Sequence, residues 1–239
     1  MPSRAVLFDF DGTLADTAPD LAAAVNRMLE EQGHEPLPLE RLRPFASAGA
    51  RGLLQAAFGV KPDDAEYKAM RQEFLDLYAE CCCQETRLFP GIAELLEELK
   101  RREIRWGVVT NKSTRFTEII LDALKLKPDC VACGDTTPHL KPHPASLLHA
   151  IGQLDLPPRE CCYLGDDLRD MKAAHAAGAR AIAVDWGYHH PESGTPGTWE
   201  AEVVIARPLD LIRHLWKPST TPSPTSSCPS PRLPATTCW

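Results

Sequence analysis

Two carboxylates, Asp9 and Asp11, stand one residue apart at the end of the first apolar run of the chain, Ala5 to Phe8. Acids this close repel each other unless a cation lies between them, and oxygen ligands of this kind suit Mg2+. Gly12 lets the backbone turn away sharply, and Thr13 adds a hydroxyl and an N–H to the same loop. Three further polar groups follow later apolar runs: Thr110 and Asn111, then Lys141-Pro142, then Gly165 to Asp170 with acids at 166, 167 and 170. Each has a bland alternative. Asp9 and Asp11 could form an Asx turn, Thr110 a strand-end cap, Lys141 a solvated surface charge. The acids 166–170 could be a helix first turn, where the dipole favours carboxylates. Asp-x-Asp-Gly also occurs in calcium loops, but the remaining oxygens and closing glutamate of such a loop are missing. What chance does not readily supply is all four together, each at the carboxyl end of a strand, the edge where open α/β sheets bind ligands.

The elements that must position these residues follow from periodicity. Strands are predicted over 5–8, 106–110, 130–133, 161–164, 181–184 and 203–205, as short apolar runs rich in β-branched and aromatic residues. Helices are predicted over 92–102, 114–124, 144–154 and 168–177 between them, giving a parallel, doubly wound α/β sheet. Residues 18–86 break this alternation. Leu21, Ala24, Val25, Met28 and Leu29 recur at helical spacing behind Thr17, a candidate N-cap, and Pro19. Further helical stretches are predicted at 39–44, after Gly49 and after Asp64, with no strand among them. The expectation is therefore a core made of 1–17 and 87–216 with a small helical insert, 18–86. From Lys217 to Trp239 the chain is rich in Pro, Ser and Thr and nearly devoid of apolar residues, which predicts disorder.

The chain has 239 residues, 44% hydrophobic, and a net charge of −7. This suits one good core and argues against a nucleic-acid partner. No run is long enough for a transmembrane helix, and the N-terminus enters a strand directly, so no signal peptide, no membrane association and a cytoplasmic location are expected. Nine cysteines include Cys81-Cys82-Cys83 and the pair Cys161-Cys162. Neighbouring cysteines do not make a disulfide framework, and Cys130 and Cys133 lack a second C-x-x-C for zinc, so free thiols are expected.

Phe8-Asp-Phe-Asp-Gly-Thr13, Val108-Val-Thr-Asn111, Lys141-Pro142 and Gly165-Asp166 with Asp170 together resemble the four motifs of the haloacid dehalogenase superfamily of phosphatases. The resemblance extends to about residue 215 and implies a Rossmann-like core with a helical cap inserted after the first strand. It implies that Asp9 attacks phosphorus to form an aspartyl-phosphate, while Asp11 protonates the leaving oxygen and then activates water. Mg2+ would be held by Asp9, the carbonyl of Asp11 and Asp166, with Asp170 or Asp167 in support; the usual spacing favours Asp170. Thr110 and Lys141 would hold the phosphoryl oxygens, with Thr13 and Asn111 completing the substrate side. An acid at position 11 also sets the chain apart from true dehalogenases, whose leaving halide needs no proton.

The substrate partner implied is a small phosphorylated metabolite. Ser47-Ala-Gly-Ala-Arg51 is a glycine-containing turn opening a helix, where Arg51 could pair with a substrate anion; a solvated arginine at a helix start is the alternative. That segment, Trp106 to Lys112, Gly165 to Asp170, and Gly187-Tyr-His-His-Pro-Glu192 are similar to N-acetylmuramic acid 6-phosphate phosphatases of peptidoglycan recycling. Phosphoglycolate phosphatases are the second resemblance. A sugar phosphomutase of the same fold, or a catalytically dead metal-binding protein, are further alternatives. Residues 188–190 could line the pocket mouth or serve only in packing. Both a monomer and a homodimer are compatible with the sequence.

Overall fold

The computed structural model describes residues 3–215; the tail 217–239 lies outside them. Strand β1 (Ala5–Phe8) is buried at every position. A short antiparallel pair follows, β2 (Ala15–Asp16) with β3 (Arg87–Leu88), and the chain between them is helical. That stretch holds α1 (Ala18–Glu31), α2 (Leu39–Leu42), a 3-10 segment Arg43–Ala48, α3 (Gly49–Phe58) and α4 (Tyr67–Cys81). After β3 come α5 (Ile92–Arg101), β4 (Arg105–Val109), α6 (Thr114–Ala123), β5 (Cys130–Ala132) and α7 (Ala145–Gln153). The last elements are β6 (Cys161–Gly165), α8 (Leu168–Ala177), β7 (Arg180–Val184) and β8 (Val203–Ile205).

The main sheet has the order β5-β4-β1-β6-β7-β8, and every neighbouring pair is parallel. This is the α/β, Rossmann-like arrangement read from the alternation of elements. The chain winds outward in opposite directions on the two sides of β1, which puts a crevice at the carboxyl ends of β1, β4 and β6. Register brings the motifs level. Phe8 lies opposite Val108 on one side and Leu164 on the other, so Asp9, Thr110 and Asp166 leave the sheet within about one residue of each other.

Alternating side chains build two apolar layers. Val6, Phe8, Val108, Leu164, Ile182 and Val184 face α5, α6 and the helical segment. Ala5, Leu7, Val109, Tyr163, Ala181 and Ala183 face α7 and α8. Helix α5 shows how each helix is seated. Ile92, Leu95 and Leu99 form one buried stripe, while Lys100 and Arg101 occupy its last turn, where cations complement the dipole.

Several boundaries differ from expectation. The helix predicted over 39–44 stops at Leu42 and continues as the 3-10 segment; Pro44 has no N–H to continue an α-helical ladder. Strand β4 ends at Val109, so Thr110 is already in the loop, and β5 stops short of Cys133. The β2–β3 pair is too short to leave a periodic trace. Thr17 does stand at the N-cap position of α1 but makes no side-chain cap bond. Its hydroxyl turns instead to Asp11, and the Tyr188 hydroxyl accepts from the Thr17 and Ala18 N–H groups at 2.7 and 2.9 Å. The seven described cysteines are free. Among the described residues no helix is long and apolar enough to cross a membrane.

Candidate active site

The floor of the crevice is a buried acid cluster with one ammonium group in it. Asp9 leaves the tip of β1, and its Oδ1 accepts from the Phe10 N–H at 2.7 Å and lies 2.7 Å from Lys141 Nζ. Lys141 Nζ also donates to Asp170 Oδ1 at 2.8 Å and to the Tyr163 hydroxyl at 2.9 Å. The Tyr163 hydroxyl in turn donates to the Val109 carbonyl at 2.7 Å, so the lysine is held from three elements. Burial works against its charge, but Asp170 and Asp9 outweigh burial and raise its pKa. Burial pushes the Asp9 carboxyl well above the ordinary range; Lys141 opposes the shift, and Asp170 and Asp166 add to it.

Asp166 is fully buried and accepts three hydrogen bonds. Its Oδ1 accepts from Thr13 Oγ1 at 3.2 Å, and its Oδ2 from the Tyr188 N–H at 2.9 Å and Ser47 Oγ at 3.0 Å. Burial and then Asp170 lift its pKa to about 6. Gly12, at φ +88°, and Gly187 close over it; a Cβ on either would fall within 2.2 and 2.1 Å of Asp166 atoms. Only glycine fits there, because the carboxylate occupies the space a side chain would take.

Asp9, Asp166 and Asp170 each offer a carboxylate oxygen, all within 4.8 Å of one another and all buried. Three buried acids sharing one lysine, two of them with raised pKa, are an unbalanced charge set. An all-oxygen donor set of this kind fits Mg2+. Asp167 is differently placed. Burial pushes its carboxyl up, but two guanidinium bonds from Arg169, the Arg169 N–H and Ser193 hold it below its ordinary value. It caps α8 in a reciprocal capping box with Asp170, so the bland reading of the 166–170 acids is true of Asp167, and partly of Asp170.

Asp11 stands apart from the cluster, half-buried. Its Oδ1 accepts from the Thr17 hydroxyl and from Lys112 Nζ, the latter at 3.0 Å. The Lys112 ammonium lies 4.8 Å from the centre of the Tyr78 ring on α4. Thr110 is buried, and its hydroxyl accepts from the Lys112 N–H at 3.1 Å. Asn111 turns its carboxamide to the Lys141 backbone, accepting from the N–H at 2.9 Å and donating to the carbonyl at 3.2 Å. It therefore positions the lysine loop. Arg51, in the first turn of α3, is exposed.

A cavity of about 670 Å³ opens above this floor. Asp9, Asp11, Thr110, Asn111, Lys141 and Asp170 line its base, Arg51 its side, and Tyr67, Phe74, Leu75 and Tyr78 of α4 its far wall. Thr13 and Asp166 lie behind the base, joined to each other. Sequence reasoning had no role for Lys112, Tyr163 or Arg169, and left Tyr188 between pocket and packing. Tyr188 is buried, and its hydroxyl donates to Asp16 at 2.9 Å, so it ties the β1 loop to the loop after β7. The ties of Tyr163 to Lys141 and of Tyr188 to Asp16 span 22 and 172 positions of chain, which no local spacing signals.

A family model described as haloacid dehalogenase-like hydrolase matches residues 6–184, a stretch that carries every acid of the cluster. The chain belongs to the haloacid dehalogenase-like hydrolases. Within that family it is 42% identical over 214 residues to an N-acetylmuramic acid 6-phosphate phosphatase of Pseudomonas aeruginosa, covering 89% of this chain and 94% of that one. It is 40% identical over 223 residues to a phosphoglycolate phosphatase of Xanthomonas campestris, covering 92% and 98%. Among solved structures, CbbY of Rhodobacter sphaeroides in complex with phosphate is 28% identical with a TM-score of 0.68, covering 88% and 96%. This haloacid dehalogenase-like chain is an enzyme of the phosphatase branch, with the six-stranded sheet of its relatives.

Proposed function

We propose that the protein is a Mg2+-dependent phosphate monoester hydrolase that works through a phosphorylated Asp9, and that its substrate is N-acetylmuramic acid 6-phosphate. The observation that carries the chemistry is Lys141 Nζ, 2.7 Å from Asp9 and 2.8 Å from Asp170 at the base of a cavity. An ammonium so placed opposes the effect of burial on Asp9 and offsets charge on the phosphoryl oxygens. Asp9 attacks phosphorus in line, and the P–O bond to the leaving alcohol breaks. Asp11, two residues on and outside the cluster, gives that oxygen its proton and later takes one from the water that cleaves the acyl-phosphate. Thr110 and Lys141 hold the phosphoryl oxygens, and Asn111 holds the Lys141 loop in place. Mg2+ would be held by Asp9, the Asp11 carbonyl, Asp166 and Asp170, and would neutralise charge on the transferring group. Asp167 is left out because Arg169 already occupies it. Residues 18–86 serve as a cap over a core of 1–17 and 87–216, with Ser47 reaching from cap to Asp166.

The two phosphatase relatives differ little in identity, so the substrate choice rests on the cavity. At about 670 Å³ it lies in the range of sites that enclose drug-sized ligands. Its wall of Tyr67, Phe74 and Leu75 suits the methyl groups of an N-acetylated, lactyl-bearing sugar. 2-Phosphoglycolate, the second reading, has no methyl group to place there. A cytoplasmic location accords with the free thiols. The deciding measurement is kcat/KM with Mg2+ on both esters. Higher values for N-acetylmuramic acid 6-phosphate are expected, and a preference for 2-phosphoglycolate reverses the assignment.

A further inference from the structure

The cations lining the cavity fall into two sets. Lys141 is matched to Asp9 and Asp170, Lys112 to Asp11, and Arg169 to Asp167. Arg51, Arg71 and Arg115 also line the cavity, yet among the described residues none of the three forms a salt bridge with an acid. Asp135, the one other acid on the lining, is already taken up by the N–H and hydroxyl of Thr114 at 3.0 and 2.5 Å. In a chain with a net charge of −7, three guanidinium groups facing one cavity without a salt-bridge partner leave its lining with more cations than acids.

Their setting is specific. Arg71 lies on the face of α4 that carries Tyr67, Phe74 and Leu75, at spacings of four, three and four residues, so its stem is flanked by apolar walls. Arg115 stands across the cavity in the first turn of α6, its guanidinium 5.2 Å from the Phe116 ring centre. Both arginines are exposed, so each is open to an incoming anion, and the planar fork keeps a paired geometry even there. One of these arginines belongs to the helical segment and the other to the sheet-bearing part, so a single anion held by both would bridge the two.

We infer that Arg71 and Arg115 form a second anion site in the cavity, which holds a carboxylate carried on the alcohol part of the phosphate ester and so selects sugar-acid phosphates over neutral sugar phosphates. This rests on the phosphate monoester reading above, and names the feature of the substrate that the cavity selects. Arginine suits the role because its planar fork pairs with a carboxylate through two parallel bonds.

The test compares matched esters that differ in the carboxylate. One pair is N-acetylmuramic acid 6-phosphate and N-acetylglucosamine 6-phosphate, which lacks the lactyl group. The other is 2-phosphoglycolate and ethyl phosphate. For the pair whose acid the wild-type enzyme uses better, the Arg71→Gln/Arg115→Gln double variant is expected to lower the acid-over-neutral ratio of kcat/KM by about tenfold or more, mainly through KM. The Arg71→Lys/Arg115→Lys variant keeps the charge and is expected to retain most of the ratio. An acid-over-neutral ratio that stays within about twofold of wild type in the glutamine variant, with an unchanged melting temperature, overturns the inference. So does a wild-type enzyme with no preference for the acid in either pair. A preference for 2-phosphoglycolate would instead sink the amino-sugar assignment, and the second pair would still decide the arginines.

Discussion

The floor of the cavity and its helical roof are built on different principles. The floor is made of strand ends from one sheet. Its acids and lysine are buried, share each other's hydrogen bonds and are hemmed in by Gly12 and Gly187. The roof, α1 to α4, touches the site through a few long-range bonds. Ser47 Oγ reaches Asp166 at 3.0 Å, and Arg169 reaches back to the Ser47 carbonyl at 3.0 Å. Arg43 pairs with Asp16 at 2.8 Å, and Phe45 meets His190 edge-on at 5.4 Å. A buried, mutually satisfied polar cluster is rigid and intolerant of change, whereas the roof joins the sheet through a shared apolar layer and separate polar bonds, each of which can be retuned singly. The difference suggests a division of labour: chemistry below, choice of substrate above.

The sharpest way to break that division is Asp9→Asn. It should lower kcat by at least about 10⁴-fold, and acid-quenched enzyme should no longer retain label from a phosphoryl-labelled substrate. Activity within tenfold of wild type would remove the nucleophile from the floor. A gentler probe is Arg169→Lys, which keeps a charge beside Asp167 but loses the fork that also reaches Ser47. KM should rise by roughly tenfold with kcat within about threefold; an equal fall in kcat would mean that roof and floor are not separable.

The smallest effect concerns stability. Burial raises the folded pKa of Asp166 to about 6, against about 3.9 in an unfolded chain. The folded state then holds more protons across that interval, so the Asp166 contribution to the stability of the metal-free protein should fall as pH rises from about 4 to about 6, and the raised Asp9 acts in the same direction. Thermal melting followed across this range with a chelator present, and again with Mg2+, tests it. A melting temperature that climbs with pH in the metal-free protein would contradict the burial of an unbalanced acid cluster. Mg2+ should raise the melting temperature most at the high-pH end, where the carboxylates are ionised.

The same contrast governs what could be read from the sequence. Asp9, Thr110, Lys141 and Asp166 each follow an apolar strand, and strand alternation with parallel register is enough to bring such positions to one edge. Asp170 follows Asp166 at one helical turn. The seam between roof and floor left no such trace. Arg169 and Ser47 are 122 positions apart, and Tyr188 and Asp16 are 172 apart. Nothing in the local pattern of Gly187-Tyr-His-His distinguishes a tyrosine whose hydroxyl fastens two loops from one that merely packs. Thr17 shows the opposite error: a strong local signal, a threonine ahead of a helix, gives no side-chain cap, because its backbone already has helical angles (φ −100°, ψ −5°), and its hydroxyl donates to Asp11.

The central place of β1 has a consequence for how the molecule comes into being. The strand that delivers Asp9 precedes both of its sheet neighbours by a long stretch of chain, since β4 and β6 begin only at Arg105 and Cys161. Until both have emerged, the leading segment has no partners for its amide groups, and it waits as an apolar ribbon in need of shelter. A protein ending before β6 would lack the acids 166 and 170 and would also have Asp9 at the tip of an unpaired edge. Newly made chain therefore stays inert until β6 and the acids behind it have been added, and shorter products should meet the proteases first.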